Sequence, residues 1–206
     1  MNKSTSPFCY PTHAYVRKHG PDGYKKWNDY RDWLRDEFDF RCVYCLLRET
    51  WGRKRANWVV EHLVPRMLAP ELALKYENLV YSCASCNSAK SSKTVPDPCQ
   101  YAYGNLVYVT KDGKIHARNK NKEGQKLIRI AALNEEDLIG PREKQIHLIR
   151  MYKKHEPERY IQYMKFPDVL PDLTSIKKPP RNSKPGSEKA CRHYQKLRGE
   201  LPEIYE

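Results

Sequence analysis

Apolar and polar positions change period several times along this chain. Trp27, Tyr30, Leu34 and Phe38 follow Gly20-Pro-Asp-Gly23 at three- and four-residue steps, with charged residues between them. That period predicts an amphipathic helix, and because the aromatics share one face they read as core rather than as base-stacking groups. Trp58-Val-Val-Glu-His-Leu-Val64 is β-branched and predicts a strand that Pro65 ends. Residues 67–76 read as a short helix or irregular loop, Asn78-Leu-Val-Tyr-Ser-Cys83 as a second strand, and 86–93 as a helix stopped before Pro96. The order is strand, loop, strand, helix. Further on, Asn105-Leu-Val-Tyr-Val-Thr110 and Lys114-Ile-His-Ala-Arg118 flank Asp112-Gly113, a dipeptide suited to a two-residue hairpin turn. Helices are predicted over 123–133 and 135–155, with Asn134 as N-cap of the second.

From Pro157 the pattern thins. Ile176-Lys-Lys-Pro-Pro-Arg-Asn-Ser-Lys-Pro-Gly-Ser187 combines proline, serine and lysine, a composition that argues for a basic linker or tail. The fold class expected is α+β, and four stretches are expected: a helical extension over 1–40, a compact unit over 41–96, an accessory hairpin-helical region over 97–165, and a basic, partly disordered tail over 166–206. A hydrophobic fraction of 39% against 31% charged residues fits a chain that is not all core.

Charge narrows the partner. Lys and Arg outnumber Asp and Glu by 38 to 25, a net +13, which favours a polyanion, with nucleic acid first. The first ten residues hold no apolar run of the signal-peptide kind, and no segment approaches the roughly 20 apolar residues of a membrane span. The expectation is a soluble, cytoplasmic protein with no membrane partner.

The chemistry concentrates between residues 41 and 93. Cys42-x-x-Cys45 and Cys83-x-x-Cys86 are paired knuckles, the spacing at which two turns can present four thiolates to one zinc ion. Cys9, Cys99 and Cys191 are an odd, scattered remainder, so zinc in a reducing compartment fits better than a disulfide framework. Inside the cysteine frame stand Glu61 and His62. Neighbours in a regular strand point to opposite faces, so both serve one site only if the chain bends there, and Pro65 makes room for that. An imidazole suits proton abstraction near neutral pH, a carboxylate is a hard ligand for a divalent cation, and Asn87 offers a neutral oxygen. The bland readings are a core histidine for His62, a strand-start turn residue for Asn78, and a helix N-cap for Asn87.

Taken together, Cys42-x-x-Cys45, Glu61-His-Leu-Val-Pro65, Glu77-Asn-Leu-Val80 and Cys83-x-x-Cys-Asn-x-x-Lys90 resemble the HNH endonucleases, the ββα-metal or His-Me finger nucleases, over about a quarter of the chain. The resemblance implies a ββα-metal core stapled by a four-cysteine zinc site. It implies His62 as general base, Asn78 as the residue fixing the loop that carries the base, and Glu61 with Asn87 as ligands of one catalytic cation. Asn87 stands where histidine is frequent and Glu61 where aspartate is, an HNN-type variant. The oxygen donor set favours Mg²⁺ or Mn²⁺ over softer, imidazole-preferring metals. Arg48, Arg53, Lys54, Arg55, Lys90 and Lys93 are candidates for phosphate contact, with an ordinary solvated face as the alternative. The pattern from Gly104 through Arg142 is similar to stand-alone bacterial HNH proteins, some associated with defence against foreign DNA. The expected function is therefore metal-dependent cleavage of DNA. The competing readings are a non-catalytic zinc-stapled nucleic-acid-binding module and an RNA-directed or toxin-like nuclease. The accessory region or the tail would be the place for a protein partner.

Overall fold

The computed structural model describes residues 8–51 and 58–205. Helices and small antiparallel sheets make an α+β fold, with strands β1 (Pro21–Asp22), β2 (Trp58–His62), β3 (Leu79–Cys83), β4 (Val107–Val109), β5 (Ile115–Ala117) and β6 (Arg181–Asn182). They pair as β1 with β6, β2 with β3 and β4 with β5. The α-helices are α1 (Arg31–Glu37), α2 (Ala84–Lys90), α3 (Tyr103–Leu106), α4 (Lys122–Ile130), α5 (Glu136–His155), α6 (Pro157–Met164) and α7 (Arg192–Leu197). No helix among the described residues is long and apolar enough to cross a membrane.

The centre is β2–β3–α2. Trp58 pairs with Cys83, Glu61 with Val80 and His62 with Leu79. Every residue of β3 is buried, because α2 and α1 both pack on this hairpin. A strand covered on both sides reads as a continuous apolar run, and Leu79-Val-Tyr81 is one.

α1 departs from the simple amphipathic expectation. A 3₁₀ turn over Trp27–Tyr30 precedes it, and Arg35, Asp36 and Glu37 are buried along with Trp33 and Leu34. The charged side is covered because other parts of the chain supply partners. Arg35 pairs with Glu49 at 2.9 Å, and His19 Nε2 lies 2.8 Å from Asp36 Oδ2. Glu37 accepts from the backbone N–H groups of Lys18 and His19 and from the Tyr76 hydroxyl. Buried charges persist when they are paired and hydrogen-bonded in this way.

The β4–β5 connection is a three-residue loop rather than the two-residue turn expected. Thr110 N–H donates to Lys114 O and Gly113 N–H to Thr110 O, with Gly113 at φ +78°. This is a turn closed by a left-handed residue, where glycine avoids the Cβ penalty. A Cβ at Gly113 would also stand 2.7 Å from Ile139 O, so the loop tip sits directly on α5. Arg142, fully buried on α5, donates to the carbonyls of Gly113 and Leu133.

Asn134 does not cap α5. Glu135 holds the cap position, and the Asn134 amide pairs with the backbone of Ile115, accepting from its N–H and donating to its C=O at 2.8 Å each. A side-chain amide presents the same donor and acceptor pair as a peptide group, so it can extend the edge of β5.

One hydrophobic cluster runs from Phe8 to Tyr205. The stretch read as a tail contributes Phe166, Leu170, Leu173, Cys191 and Tyr205 to it. Its proline- and lysine-rich composition obscured these widely spaced apolar residues, which pack on one another and on earlier parts of the chain, as Phe166 does on Phe40. Tyr205 packs on Phe166 at a ring distance of 4.0 Å, and Arg192 N–H donates to Asp36 Oδ1 at 2.7 Å.

Candidate active site

The four knuckle cysteines meet in the core. Their sulfur atoms all lie within 4.8 Å of one another, each residue is 0% exposed, and Cys45 and Cys83 sulfurs are 3.7 Å apart. Sulfurs around a tetrahedral zinc with bonds of about 2.3 Å stand about 3.8 Å apart, so the donor set fits that ion. Two different local structures deliver them. Cys42 and Cys45 sit on a turn in which Leu46 N–H donates to Cys42 O and Cys42 N–H to Leu47 O, with Leu46 at φ +62°. Cys83 is the N-cap residue of α2 and Cys86 lies in its first turn, where free N–H groups favour negative charge.

Beside this closed cluster lies an open cleft lined by Glu61, His62, Pro65, Arg66, Met67, Asn87, Ser88, Ser91 and Ser92. Glu61 and His62 thus reach one cavity although they are neighbours in sequence, because His62 is the last residue of β2 and the chain turns after it. His62 is half-buried, and its Nε2 lies 3.0 Å from the carbonyl of Ala73. A carbonyl only accepts, so Nε2 carries the proton and donates, leaving Nδ1 with the lone pair. Burial, with the nearby charges of Arg66 and Lys90, moves the imidazole below its ordinary pKa of 6.5 even though the Ala73 bond pulls the other way. The neutral form is therefore favoured at neutral pH.

Asn78 is 6% exposed and wholly engaged. Its Oδ1 accepts from Val64 N–H at 2.8 Å, and Nδ2 donates to Val64 O at 3.0 Å and Leu72 O at 3.2 Å. Its backbone carbonyl accepts from Leu63 N–H at 2.9 Å. These bonds tie both ends of the loop that follows His62, including the stretch leading to Ala73. Asn87 lies inside α2, whose cap is Cys83, so the N-cap alternative for Asn87 falls away; its side chain lines the cleft.

Glu61 is 5% exposed, and burial pushes its carboxyl above its ordinary pKa despite the opposing pull of Lys90. Lys90 Nζ lies 2.7 Å from Glu61 Oε1 and donates to the His62 carbonyl at 2.7 Å. Lys90 was expected on a phosphate-contacting face, and the structure corrects that: its side chain is 0% exposed, because the last turn of α2 points it back under β2. Arg48 is corrected likewise. At 1% exposure its guanidinium stacks on the Tyr205 ring at 3.6 Å and on Trp51 at 5.0 Å. Arg53, Lys54 and Arg55 lie outside the described residues, and Lys93 is exposed just beyond α2.

The cleft also contains groups that pattern reading passed over. Arg66, next to the strand-ending Pro65, is exposed and lies 4.2 Å over the ring of Trp27. Trp27 in turn meets the His62 ring edge-on at 5.8 Å. The helical period assigned Trp27 to the core, and no local signal linked it to a histidine 35 residues away. Ser88, Ser91 and Ser92 follow from the position of α2 and could have been found by projecting that helix from Asn87.

Of the residues that could hold metal, the four cysteines are the one cluster of three or more His, Cys, Asp or Glu side chains among the described residues. Glu61 and Asn87 both line the open cleft and each has a side-chain oxygen to offer. That fits a hard divalent cation completed by water and substrate oxygens, the manner in which Mg²⁺ is commonly held.

Residues 42–93 match the family model described as HNH endonuclease. The matched segment spans the zinc frame, β2, β3 and α2, about a quarter of the chain, and bears out the resemblance that the motifs carry. The match implies a nuclease-type activity directed at nucleic acid. No curated protein matches the chain.

Proposed function

We propose that the protein is a metal-dependent endonuclease that hydrolyses phosphodiester bonds in DNA. The observation that carries this reading is the Nε2 bond of His62 to Ala73 O, which leaves Nδ1 as the basic atom in a cleft shared with Glu61 and Asn87. His62 Nδ1 takes a proton from the attacking water as the water oxygen bonds to phosphorus. The opposite P–O bond breaks, and the leaving oxygen acquires its proton from solvent. Asn78 keeps the loop behind His62 in register, so the ring is held by Ala73 O throughout. Glu61 and Asn87 would hold the cation, which when bound offsets negative charge on the phosphate and leaving oxygen. The cysteine cluster has no part in the reaction; it fixes the start of α2, and hence Asn87, against β2.

Lys90 favours a second reading, a binding module whose chemistry is lost, because it occupies one of the two oxygens Glu61 has to offer. Incubating plasmid, linear duplex, single-stranded DNA and RNA with the protein, with and without Mg²⁺ or Mn²⁺, separates the two. Metal-dependent cleavage that disappears in His62→Ala is expected; equal cleavage by His62→Ala, or salt-sensitive binding without cleavage, would refute the nuclease reading. A preference for RNA in the same assay would replace DNA as the substrate. A role in defence against foreign DNA is part of the proposal and would appear as restriction of incoming plasmid or phage that depends on His62.

A further inference from the structure

Within that reading of the cleft, we infer that Arg66 is the phosphate-binding residue of the site and that Trp27, from outside the family-matched segment, positions it. Of the residues lining the cleft, Glu61 is the acid and is already paired with Lys90, whereas Arg66 is exposed and carries the cleft's positive charge. No carboxylate among the described residues is paired with it. Its guanidinium lies 4.2 Å over the Trp27 ring. A planar cation stacked on an aromatic face keeps its N–H edges directed outward, and those edges match two oxygens of a phosphate.

Trp27 is itself fixed. It packs against the hydrophobic core from the 3₁₀ turn before α1 and meets His62 edge-on at 5.8 Å. One indole therefore sets both the candidate base and the arginine beside it. Arginine reaching a phosphate from this support would sit next to the histidine that activates water. The ligand is a nucleic-acid phosphodiester, recognised by charge and planar geometry rather than by base identity, so the contact should be independent of sequence.

The test uses the full chain in a His62→Ala background, so that bound DNA is not cut, with a fluorescent duplex oligonucleotide titrated over a range of salt concentrations. Arg66→Ala should bind roughly tenfold more weakly, and the slope of log affinity against log salt should fall by about 0.9, the signature of one lost phosphate contact. Arg66→Lys should restore the slope but only part of the affinity. Trp27→Leu should weaken binding about threefold with the slope retained, and Trp27→Tyr should recover most of the loss, which a purely structural role for Trp27 would not require.

A second readout is built into the chain. Of its four tryptophans, Trp33, Trp51 and Trp58 are buried and Trp27 is partly exposed. Iodide quenching of the emission should therefore report on Trp27, and saturating DNA should protect it. An unchanged affinity and salt slope in Arg66→Ala, or quenching unaffected by DNA, would overturn the inference. A protein that cleaves DNA with the same KM after Arg66→Ala would refute the inference and keep the nuclease; Arg66-dependent binding without any cleavage would do the reverse.

Discussion

The zinc frame and the cleft share α2 and lie a few residues apart, yet they are built on opposite plans. The four cysteines are 0% exposed, and their sulfurs cluster in the core beside the Ser82 hydroxyl, which lies 3.7 Å from Cys42 Sγ. Glu61, His62 and Asn87 face an open cavity of about 740 Å³ with oxygen and nitrogen atoms left over for a ligand. Closed thiolate sites contribute folding energy, whereas open oxygen sites exchange their ion and leave room for substrate. Openness therefore separates the cysteine cluster from the candidate cation site more reliably than proximity or ligand count.

The largest test of that division is removal of zinc. Chelation, or Cys42→Ser, should abolish cooperative folding of the β2–β3–α2 unit, since structural zinc supplies on the order of 10 kcal/mol in small zinc domains. Thermal melts with metal analysis would read this, and an unchanged melting temperature would erase the distinction. His62→Ala should do the opposite, lowering cleavage by about 100- to 10,000-fold with the melting temperature intact.

Lys90 lies on the border between the two regions. Lys90→Met leaves Glu61 buried without its partner and should cost about 3 kcal/mol in urea unfolding, at the low end for a broken buried pair because Glu61 can take up a proton. Adding Glu61→Gln should recover much of the loss; no recovery would mean that the bond of Lys90 to the His62 carbonyl, not the ion pair, matters. Asn78→Ala removes three hydrogen bonds to the loop and should cost about 1–3 kcal/mol while lowering turnover. A loss of stability with turnover unchanged would show that the loop does not govern the base.

The smallest effect is expected at a residue that neither lines the cleft nor belongs to the cysteine cluster, and serves as a control. Burial alone would raise the Asp39 carboxyl, but Lys18, Arg41 and Arg192 together hold it below its ordinary 3.8. A depressed carboxyl stabilises the fold above its unfolded value and loses that contribution as pH falls through the folded one. Asp39→Asn should thus flatten the acid limb of a stability profile below about pH 4 and leave cleavage at neutral pH unchanged. A steep acid limb retained in the variant would assign acid unfolding to other carboxyls.

Much of the centre was legible in the chain itself because its signals are local. Cys-x-x-Cys spacing, the β-branched run at Trp58–Val60 and the turn after Pro65 each act within a few residues, and the roles of Glu61, His62, Asn78 and Asn87 are implied by the family resemblance that these motifs carry. What was not legible depends on partners far away. Lys90 and Arg48 look like surface charges until Glu61 and Tyr205 arrive, and Asn134 looks like a cap until β5 offers it an edge. Trp27 obeys the helical period and still ends beside His62. The residues from 166 onward read as a basic, partly disordered tail, because Leu170, Leu173 and Cys191 are too sparse to form a core of their own and join the one that runs through the rest of the chain.

That last arrangement fixes an order of events in time. Gly20 accepts from Ser183 N–H, Asp29 pairs with Lys177, and Asp36 accepts from Arg192 N–H, 156 residues downstream. During synthesis these three contacts must wait until residues 177–192 have left the ribosome, although Arg35, Asp36 and Glu37 already have partners in Glu49, His19 and Tyr76. At about 5–20 residues per second that wait is of the order of ten seconds. The zinc knuckles and the cleft residues, by contrast, are complete in sequence by residue 93, so the candidate site's own segment is synthesised well before the stretch that ties down the N-terminal part.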